Sequence, residues 1–444
     1  MAISNSIPLT IGLIEQLRTF LGAPTTKEQY RVHKQDFTRH RILDFTETVV
    51  LLLTGLKMSI QNRMNRFFAT LHRILVIPTR TAFHLARAKI KPQLFKQLHQ
   101  EVVSFFYTHF EAAGLVHQWY GHRLLAIDGS TLNLPLTDSL KPYFMVIDNK
   151  SGQLYVQGLS SYLVDLRNKL VLNAELGPLQ AEKKFLVDFH SAYLQPNDLL
   201  LLDRLYADYE VIGYCVQQSC HFVIRCPLTS SFAVVKSFSR NPRVKDRIIN
   251  LPRTKNSGKS KLDLPAQVQV RLIKVYLPSG EVEVLVTDLL DPQKYPYEVF
   301  EALYQERWGV ETYLNHLKTG WEVERGRCGQ SWQLYQDFFA TIFLTALEAV
   351  LCREPEHEVQ QDLAKHPRKY RYQLNRSVTA STLAEEIVRI FLDPITPTWQ
   401  LLQEIYHRFK QNLTPVIPGR AWVRQRTSLG QQIRHHLYGK RLWC

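Results

Sequence analysis

Apolar residues in the first quarter of the chain recur at helical spacing. The segment TVVLLLTGLKMSIQNRMNRFFATL follows Asp44 and Glu47, whose three-residue separation is typical of a capping box at the start of a helix. A further helix is predicted between Pro92 and Phe110. These segments together indicate a helical N-terminal region over residues 1–115.

A short helix is predicted in TRTAFHLARAKIKP, between the two helices just described. Its apolar face would contain Ala82, Leu85 and Ala86, with basic residues beside it. Short helices with a basic second member are also found in helix-turn-helix readers of DNA. Any small helical bundle has a similar pattern, so both interpretations stay open. The basic residues are Arg80, Arg87 and Lys89.

Short apolar runs that end in an aspartate begin after residue 116. RLLAIDGSTLNLP predicts a strand that ends at Asp128 and is followed by a turn at Gly129. The run Leu199–Leu202 predicts a second strand, which ends at Asp203. A hairpin is predicted around residues 167–169, and HFVIRCP predicts another strand. Strands that alternate with helices favour an α/β fold over residues 116–226.

The segment between the second aspartate and the next polar helix is long. Asp203 and Glu311 are 108 positions apart, far more than one crossover needs. SRNPRVKDRIINLPRTKNSGKSK predicts a mobile basic loop, whereas QVQVRLIKVYLPSGEVEVLVTDLL predicts two strands around a turn at Pro278–Gly280. We therefore predict an inserted β-rich subdomain over residues 227–290.

One helix, YQERWGVETYLNHLK, combines a polar stripe with an apolar one. Tyr304, Arg307, Glu311 and Lys318 fall on one narrow stripe at 100° per residue, about 21 Å long. That length suits several consecutive phosphates of a nucleic-acid strand. The alternative is a solvated face with ion pairs such as Arg307 with Glu311. The apolar stripe would bury the helix and contains Leu303, Val310, Leu314 and Leu317.

The remaining helices complete the predicted division of the chain. Residues 291–352 contain the polar helix and the apolar run Phe338–Leu351, which is short for a bilayer and contains Glu348, so we predict a buried core helix. Residues 353–444 form a basic helical region that contacts DNA or a partner subunit. Its basic residues include Arg368, Lys369, Arg371, Arg376, Arg420, Arg424, Arg426, Arg434, Lys440 and Arg441, interleaved with Trp422, Tyr438 and Trp443.

The charge balance points to a polyanionic partner. The 444 residues include 55 Lys and Arg against 40 Asp and Glu, a net charge of +15, and the pI is near 9.5. Nucleic acid is favoured over a membrane because no long basic amphipathic helix is evident. No targeting segment is evident. The six cysteines form no CxxC pair, which argues against zinc and fits buried thiols in a reducing cytoplasm.

Three motifs resemble those of insertion-sequence DDE transposases of the IS-four-like branch. The pattern Y-x2-R-x3-E-x6-K, filled by Tyr304, Arg307, Glu311 and Lys318, resembles their YREK signature. Asp128-Gly129 and the run from Asp203 to Tyr206 resemble their first two motifs. The resemblance extends from about Phe37 to Val350. It implies a ribonuclease-H-like mixed sheet with flanking helices, an inserted β-subdomain, a helical N-terminal region over residues 1–115 that binds DNA, and a helical C-terminal region.

The resemblance also implies the chemistry of the site. Asp128, Asp203 and Glu311 would be the catalytic residues and would bind two Mg²⁺ ions, with Mn²⁺ as a substitute, since carboxylates suit hard cations. Asp128 would bridge the two ions. The alternative for either aspartate alone is a turn former or helix cap. The predicted DNA-binding residues are Tyr304, Arg307, Lys318 and Arg204.

The function implied is cut-and-paste transposition. Such an enzyme binds the terminal inverted repeats of its element, cleaves there, and joins the 3′-hydroxyl ends to target DNA. A homodimer on paired ends and a bacterial cytoplasmic, nucleoid-associated location are implied as well, with no membrane. Two alternatives remain: a metal-dependent nuclease without strand transfer, and a catalytically inactive DNA-binding regulator.

Overall fold

The computed structural model describes residues 6–55, 59–148, 154–180, 182–227, 232–254, 262–276, 281–323 and 329–417. The helices are α1 (Ile7–Gly22), α2 (Pro24–Tyr30), α3 (Phe45–Leu53), α4 (Ile60–Thr70), α5 (Arg80–Arg87), α6 (Gln93–Phe105), α7 (Glu182–Phe185), α8 (Tyr209–Gln217), α9 (Ala233–Arg240), α10 (Val299–Gln305), α11 (Trp308–Thr319), α12 (Ser331–Leu351), α13 (Arg353–Lys365), α14 (Arg376–Leu392) and α15 (Thr398–Gln411). The strands are β1 (Leu124–Leu134), β2 (Met145–Asp148), β3 (Leu154–Asp165), β4 (Leu170–Pro178), β5 (Leu199–Leu202), β6 (His221–Cys226), β7 (Asp246–Pro252), β8 (Gln267–Tyr276), β9 (Val282–Thr287), β10 (Arg371–Leu374) and β11 (Leu413–Val416).

A nine-stranded mixed sheet organises the fold. Its order is β2-β3-β1-β5-β6-β9-β8-β7, with β4 also paired to β3. Strands β1, β5 and β6 are parallel, while β3 and β4 form an antiparallel hairpin beside β1. The apolar run Leu199–Leu202 is fully buried, as expected for a central strand. This confirms the α/β class and the ribonuclease-H-like mixed sheet.

Strand β1 is longer than predicted. It passes through Asp128 and continues to Leu134, because its second half pairs with β3, for example at Gly129 opposite Ser161. The predicted turn at Gly129 is therefore wrong. The parallel pairing with β5 stops earlier, at Ala126, so only the β5 side of β1 is unpaired at the aspartate.

The strands of the predicted insertion extend the central sheet. β9 pairs with β6, where Val223 lies opposite Thr287, and β8 and β7 follow outward. Part of the predicted mobile loop is the strand β7, and α9 ends at Arg240, the second residue of that loop. The predicted turn at 278–280 and residues 255–261 lie outside the described residues.

The predicted continuous helix over residues 304–318 is two helices. α10 ends at Gln305 and α11 begins at Trp308. Between them the backbone tightens, because the N–H groups of Glu306 and Arg307 donate to carbonyls three residues back, at 3.1 Å. The stripe from Tyr304 to Lys318 is therefore broken after its first member.

The N-terminal helices also differ in detail from the prediction. Asp44 caps α3 and accepts from the Glu47 N–H at 2.7 Å, as predicted, but the helix stops before Gly55, which has φ +85°. Helix α5 turns Phe83, Ala86 and Arg87 inward and leaves Ala82 and Leu85 exposed. The predicted apolar face is therefore wrong by a fraction of a turn.

Helix α12 lies at the centre of the helical layer. It packs against α6, α3, α14 and β4, and α1 packs against α14 and α15, so N- and C-terminal helices share one bundle. The segment Ser331–Lys365 is apolar enough to span a bilayer, but 89% of its most apolar window is buried. The core-helix prediction is confirmed. Residues 418–444, with much of the basic tail, lie outside the described residues.

Candidate active site

The register of two neighbouring parallel strands brings the two predicted aspartates together. Leu125 pairs with Leu200 and Ala126 with Leu201. Asp128 and Asp203 are each two positions beyond this last pair. Adjacent strands lie about 5 Å apart, so the two residues leave the same edge of the sheet side by side.

The other two predicted acids are close enough to Asp128 for their charges to act on it. Its Oδ1 accepts the backbone N–H of Gly129 at 2.9 Å. Burial raises the pKa of Asp128, the negative charges of Glu311 and Asp203 raise it as well, and the net value is about 6. The Gly129 hydrogen bond and the Arg307 charge act in the opposite direction. Three carboxylates from segments that are far apart in the sequence therefore lie near one another in the fold.

Glu311 approaches from α11, which packs against β1. Its Oε1 accepts from Nη2 of Arg307 at 3.0 Å. Arg307 is itself only 5% exposed, with the rings of Tyr304 and Trp308 at 5.9 and 5.0 Å from its guanidinium carbon. The Arg307–Glu311 pair predicted as an alternative is thus present, but it points into the acidic site.

The remaining members of the signature occupy different settings. Tyr304 is buried, and its hydroxyl donates to the carbonyl of Leu202 at 3.3 Å, at the end of β5. Lys318 is half-buried in the last turn of α11. Arg204 is exposed directly after Asp203. Their contacts with DNA stay predictions.

A fourth carboxylate, Glu182, also lies at the site, and the sequence reasoning missed it. A Cβ on Gly129 would lie 2.7 Å from Cδ and Oε1 of Glu182, so the carboxylate rests directly against this glycine. The pKa of Glu182 is raised to about 7, mainly by burial and in addition by the negative charges of Asp128 and Asp203. Acidic residues are common in the first turn of a helix, where they interact favourably with the helix dipole. The position of Glu182 in the sequence therefore does not distinguish it as an active-site residue.

A buried carboxylate oxygen of Asp203 is available to a divalent cation. Oδ1 of Asp203 is buried and has no hydrogen-bond partner among the described residues. No three His, Cys, Asp or Glu side chains in the described ranges already converge closely enough to hold a metal ion. Side-chain rotation would be needed to gather them. Their carboxylate oxygens are nevertheless the ligands that Mg²⁺ prefers.

Basic and thiol-containing residues elsewhere are largely accounted for by packing. Arg87, a candidate DNA contact, is buried and paired with Asp337 at 2.7 Å, and Arg376 contacts Glu356 at 3.2 Å. The cysteines that the structure describes are free, buried thiols, as predicted. They are Cys215, Cys220, Cys226 and Cys352.

Comparisons with known proteins identify a transposase domain that contains the four acidic residues of the site. The family model described as "Transposase DDE domain" matches residues 119–347, which is 229 of the 444 residues. No curated protein matches the chain. Among solved structures, the chain is similar to a cryo-EM structure of the piggyBac transposase synaptic complex with hairpin DNA. That likeness has a TM-score of 0.43 at 10% identity and covers 92% of this chain and 87% of the other.

Proposed function

Because the chain belongs to the family of transposase DDE domains, we propose that it is a cut-and-paste transposase of the IS-four-like insertion-sequence branch. It binds the terminal inverted repeats of its element, hydrolyses a phosphodiester at each end and joins the 3′-hydroxyl ends to target DNA. The observation that carries the proposal is that Asp128 and Asp203 leave the same edge of the sheet side by side, with Glu311 close enough for its charge to raise the pKa of Asp128.

The three carboxylates hold the metal ions in this proposal. Two Mg²⁺ ions, or Mn²⁺ in their place, would supply the charge neutralisation that in-line attack on a phosphodiester needs. The pairing of β1 with β5 fixes the backbones of Asp128 and Asp203. Tyr304 binds the Leu202 carbonyl and so supports the position of Asp203. These contacts provide a rigid base for ligands that must be correctly placed.

The cations around the site have two roles. Arg307 holds Glu311 in the metal-free site and would release that carboxylate when a divalent ion competes for it. Arg204 and Lys318 would contact backbone phosphates, which position DNA without reading its sequence. In the same proposal Tyr304 and Arg307 contact the transposon-end backbone once DNA is bound.

The wider assembly follows from the same proposal. The net charge of +15 favours association with a polyanion. The enzyme would act as a homodimer on two paired ends, in the bacterial cytoplasm and in association with the nucleoid. The domain boundaries given above stay predictions, although the strands of the insertion continue the core sheet.

Cleavage and strand transfer by the full chain test the proposal. The DNA is a duplex with inverted repeats taken from the flanks of the coding region, incubated with Mg²⁺. Asp128→Asn, Asp203→Asn and Glu311→Gln should each lower cleavage by about 100-fold or more, because each removes a ligand charge. Each should still bind the end DNA, since binding rests mainly on cations.

Asp138→Asn is the matched control, because that side chain is 99% exposed. It should cleave normally. Full cleavage by any one of the three variants would remove that residue from the site. Cleavage by the wild-type chain without insertion of a labelled end into a second DNA would favour a nuclease. No cleavage with any divalent ion would favour an inactive regulator.

A further inference from the structure

Glu182 is held at the active site by the start of a helix that precedes β5. It is the first residue of α7, and its carboxylate covers Gly129, the residue that follows Asp128. The next residue, Lys183, forms a 2.6 Å ion pair with Asp208, the residue that caps α8. That ion pair ties the beginning of α7 to the cap of α8, five positions after Asp203, and so helps to keep Glu182 beside both aspartates.

The carboxylate of Glu182 has no neutralising partner in the described part of the chain. The adjacent ammonium group of Lys183 faces away, toward Asp208 and, at 3.9 Å, Glu210. A half-buried carboxylate beside two others is costly unless it is protonated or bound to a cation. The arrangement therefore favours binding of positive charge.

Tyr206 provides an independent sign of a ligand. Its side chain is 1% exposed, and its hydroxyl has no hydrogen-bond partner among the described residues. Burial raises the pKa of this phenol, and the charges of Glu182, Asp128 and Asp203 raise it as well, so its hydroxyl lies near all three carboxylates. A buried hydroxyl without a protein partner is uncommon. Together with Oδ1 of Asp203, it presents a second unpartnered oxygen to the same small volume.

We propose that Glu182 is a fourth carboxylate ligand of the divalent-cation site formed by Asp128, Asp203 and Glu311. The assignment rests on the proposed function and adds a ligand to it. Glu182 reaches the site from α7, whereas Glu311 reaches it from α11. Four carboxylates would balance the charge of two divalent ions.

Binding of Mn²⁺ to the full chain, followed by electron paramagnetic resonance without DNA, tests the proposal. The wild-type chain should bind two ions. Glu182→Gln should weaken the affinity of one of them by about 10-fold or more, since an amide is a poorer ligand for a hard cation. Without metal, its unfolding temperature should equal or exceed that of wild type, because a repelled charge has been removed.

The control and a second variant keep the outcomes separate. Asp188→Asn removes an exposed acid from the same helical segment and should leave Mn²⁺ affinity unchanged. Glu182→Asp keeps the charge but withdraws it by one methylene, so it should fold normally and bind one ion more weakly. It covers the case in which the glutamine variant folds poorly.

Two results would overturn different statements. If Asp203→Asn abolishes Mn²⁺ binding while both Glu182 variants bind like wild type, Glu182 is not a ligand and the proposed function stands. If the wild-type chain binds no Mn²⁺ and cleaves no DNA, the proposed function itself fails. Lower thermal stability of Glu182→Gln with unchanged Mn²⁺ affinity would indicate a structural role only and would also overturn the inference.

Discussion

Gly129 follows Asp128 in β1 and lies beneath the carboxylate of Glu182. It is flanked by regular pairing to β3, so it is not needed for a turn. A side chain here would meet Glu182 at 2.7 Å, below any normal Cβ contact. Glycine at this position therefore permits the close approach of a second acid. The Asp-Gly pair read from the sequence as a turn signal has a different physical cause in the structure.

Gly129→Ala should displace Glu182 without unfolding the chain. The group in the way is the far end of a flexible side chain, and alanine reduces the freedom of the unfolded chain, so the free energy of unfolding should change by less than about 1 kcal/mol. Mn²⁺ affinity should fall as it does in Glu182→Gln. The double variant should bind no more weakly than either single one, because both changes act through the same carboxylate.

Gly177→Ala is the matched control for this prediction. Gly177 lies in β4, and a Cβ there would meet the Phe185 ring at 3.5 Å, an ordinary contact. Its Mn²⁺ titration should match that of wild type. Additive losses in the Gly129/Glu182 double variant would contradict the prediction, since they would show that the two changes weaken the site independently.

Helix α11, which contains Glu311, is held against α12 by a hydrogen bond between His316 and the buried carboxylate of Glu348. The Glu348 carboxylate, 1% exposed on α12, accepts from Nε2 of His316 and Nε1 of Trp321, both at 2.8 Å, and from the Thr379 hydroxyl. Burial alone would raise the pKa of Glu348, but His316, Arg376 and Thr379 lower it overall. A charged group thus joins α11, α12 and α14 inside the protein.

Glu348→Gln should destabilise the protein by roughly 3 kcal/mol, because removing one partner of a buried charge network leaves the others uncompensated. Urea unfolding measures the change. The control is Glu358→Gln on α13, whose ion pair with Lys410 leaves both side chains 37% exposed. Loss of that surface pair should cost no more than about 1 kcal/mol. Equal losses of stability in the two variants would argue against a role of Glu348 in holding α11, α12 and α14 together.

Elements with one dominant local signal could be predicted from the sequence. The buried run Leu199–Leu202 ending at Asp203, the β3–β4 hairpin and the capping of α3 by Asp44 all follow from local patterns, and the structure has them. Asp208 caps α8, as a strand-to-helix turn would suggest. Such features depend on neighbouring residues alone, which a sequence displays directly.

Features that depend on distant partners could not be predicted in the same way. β1 continues past Asp128 only because β3 pairs with it, and Arg87 turns inward only because Asp337 lies there. Glu182 lies against Gly129, and Lys183 beside it forms an ion pair with Asp208 at the start of α8. No spacing along the chain connects Glu182 to Asp128, so the fourth acid is visible only in three dimensions.

At the scale of the whole molecule, two buried histidines join the helices to β4. Nε2 of His99, on α6, donates to the Val171 carbonyl at 2.9 Å. His190 follows α7, accepts from the Asn173 amide at Nδ1 and contacts the Ser161 hydroxyl through Nε2. Burial, together with the charge of Lys96, lowers the pKa of both histidines, to about 4 for His99 and to about 3 for His190.

The two histidines should therefore make the protein less stable in acid, whereas Asp128 and Glu182, whose pKa values are raised in the folded state, act in the opposite direction. Above pH 6.5 both histidines are neutral in the folded and unfolded states, so the stabilisation is complete there. As the pH falls from about 6.5 toward 4, the unfolded chain binds protons that the folded chain cannot bind. Stability then falls by up to about 1.4 kcal/mol per pH unit for each histidine.

Urea unfolding at a series of pH values measures this slope. His99→Gln and His190→Gln should each reduce the slope between pH 4.5 and 6 by about 1.4 kcal/mol per unit, because each removes one proton from the difference. Both variants should also be less stable at pH 7.5, where only the lost hydrogen bonds and packing count. Exposed His366→Gln, on the loop after α13, controls for histidine removal as such. If all three variants keep the wild-type slope, other groups dominate the acid response, and the two buried rings do not limit stability.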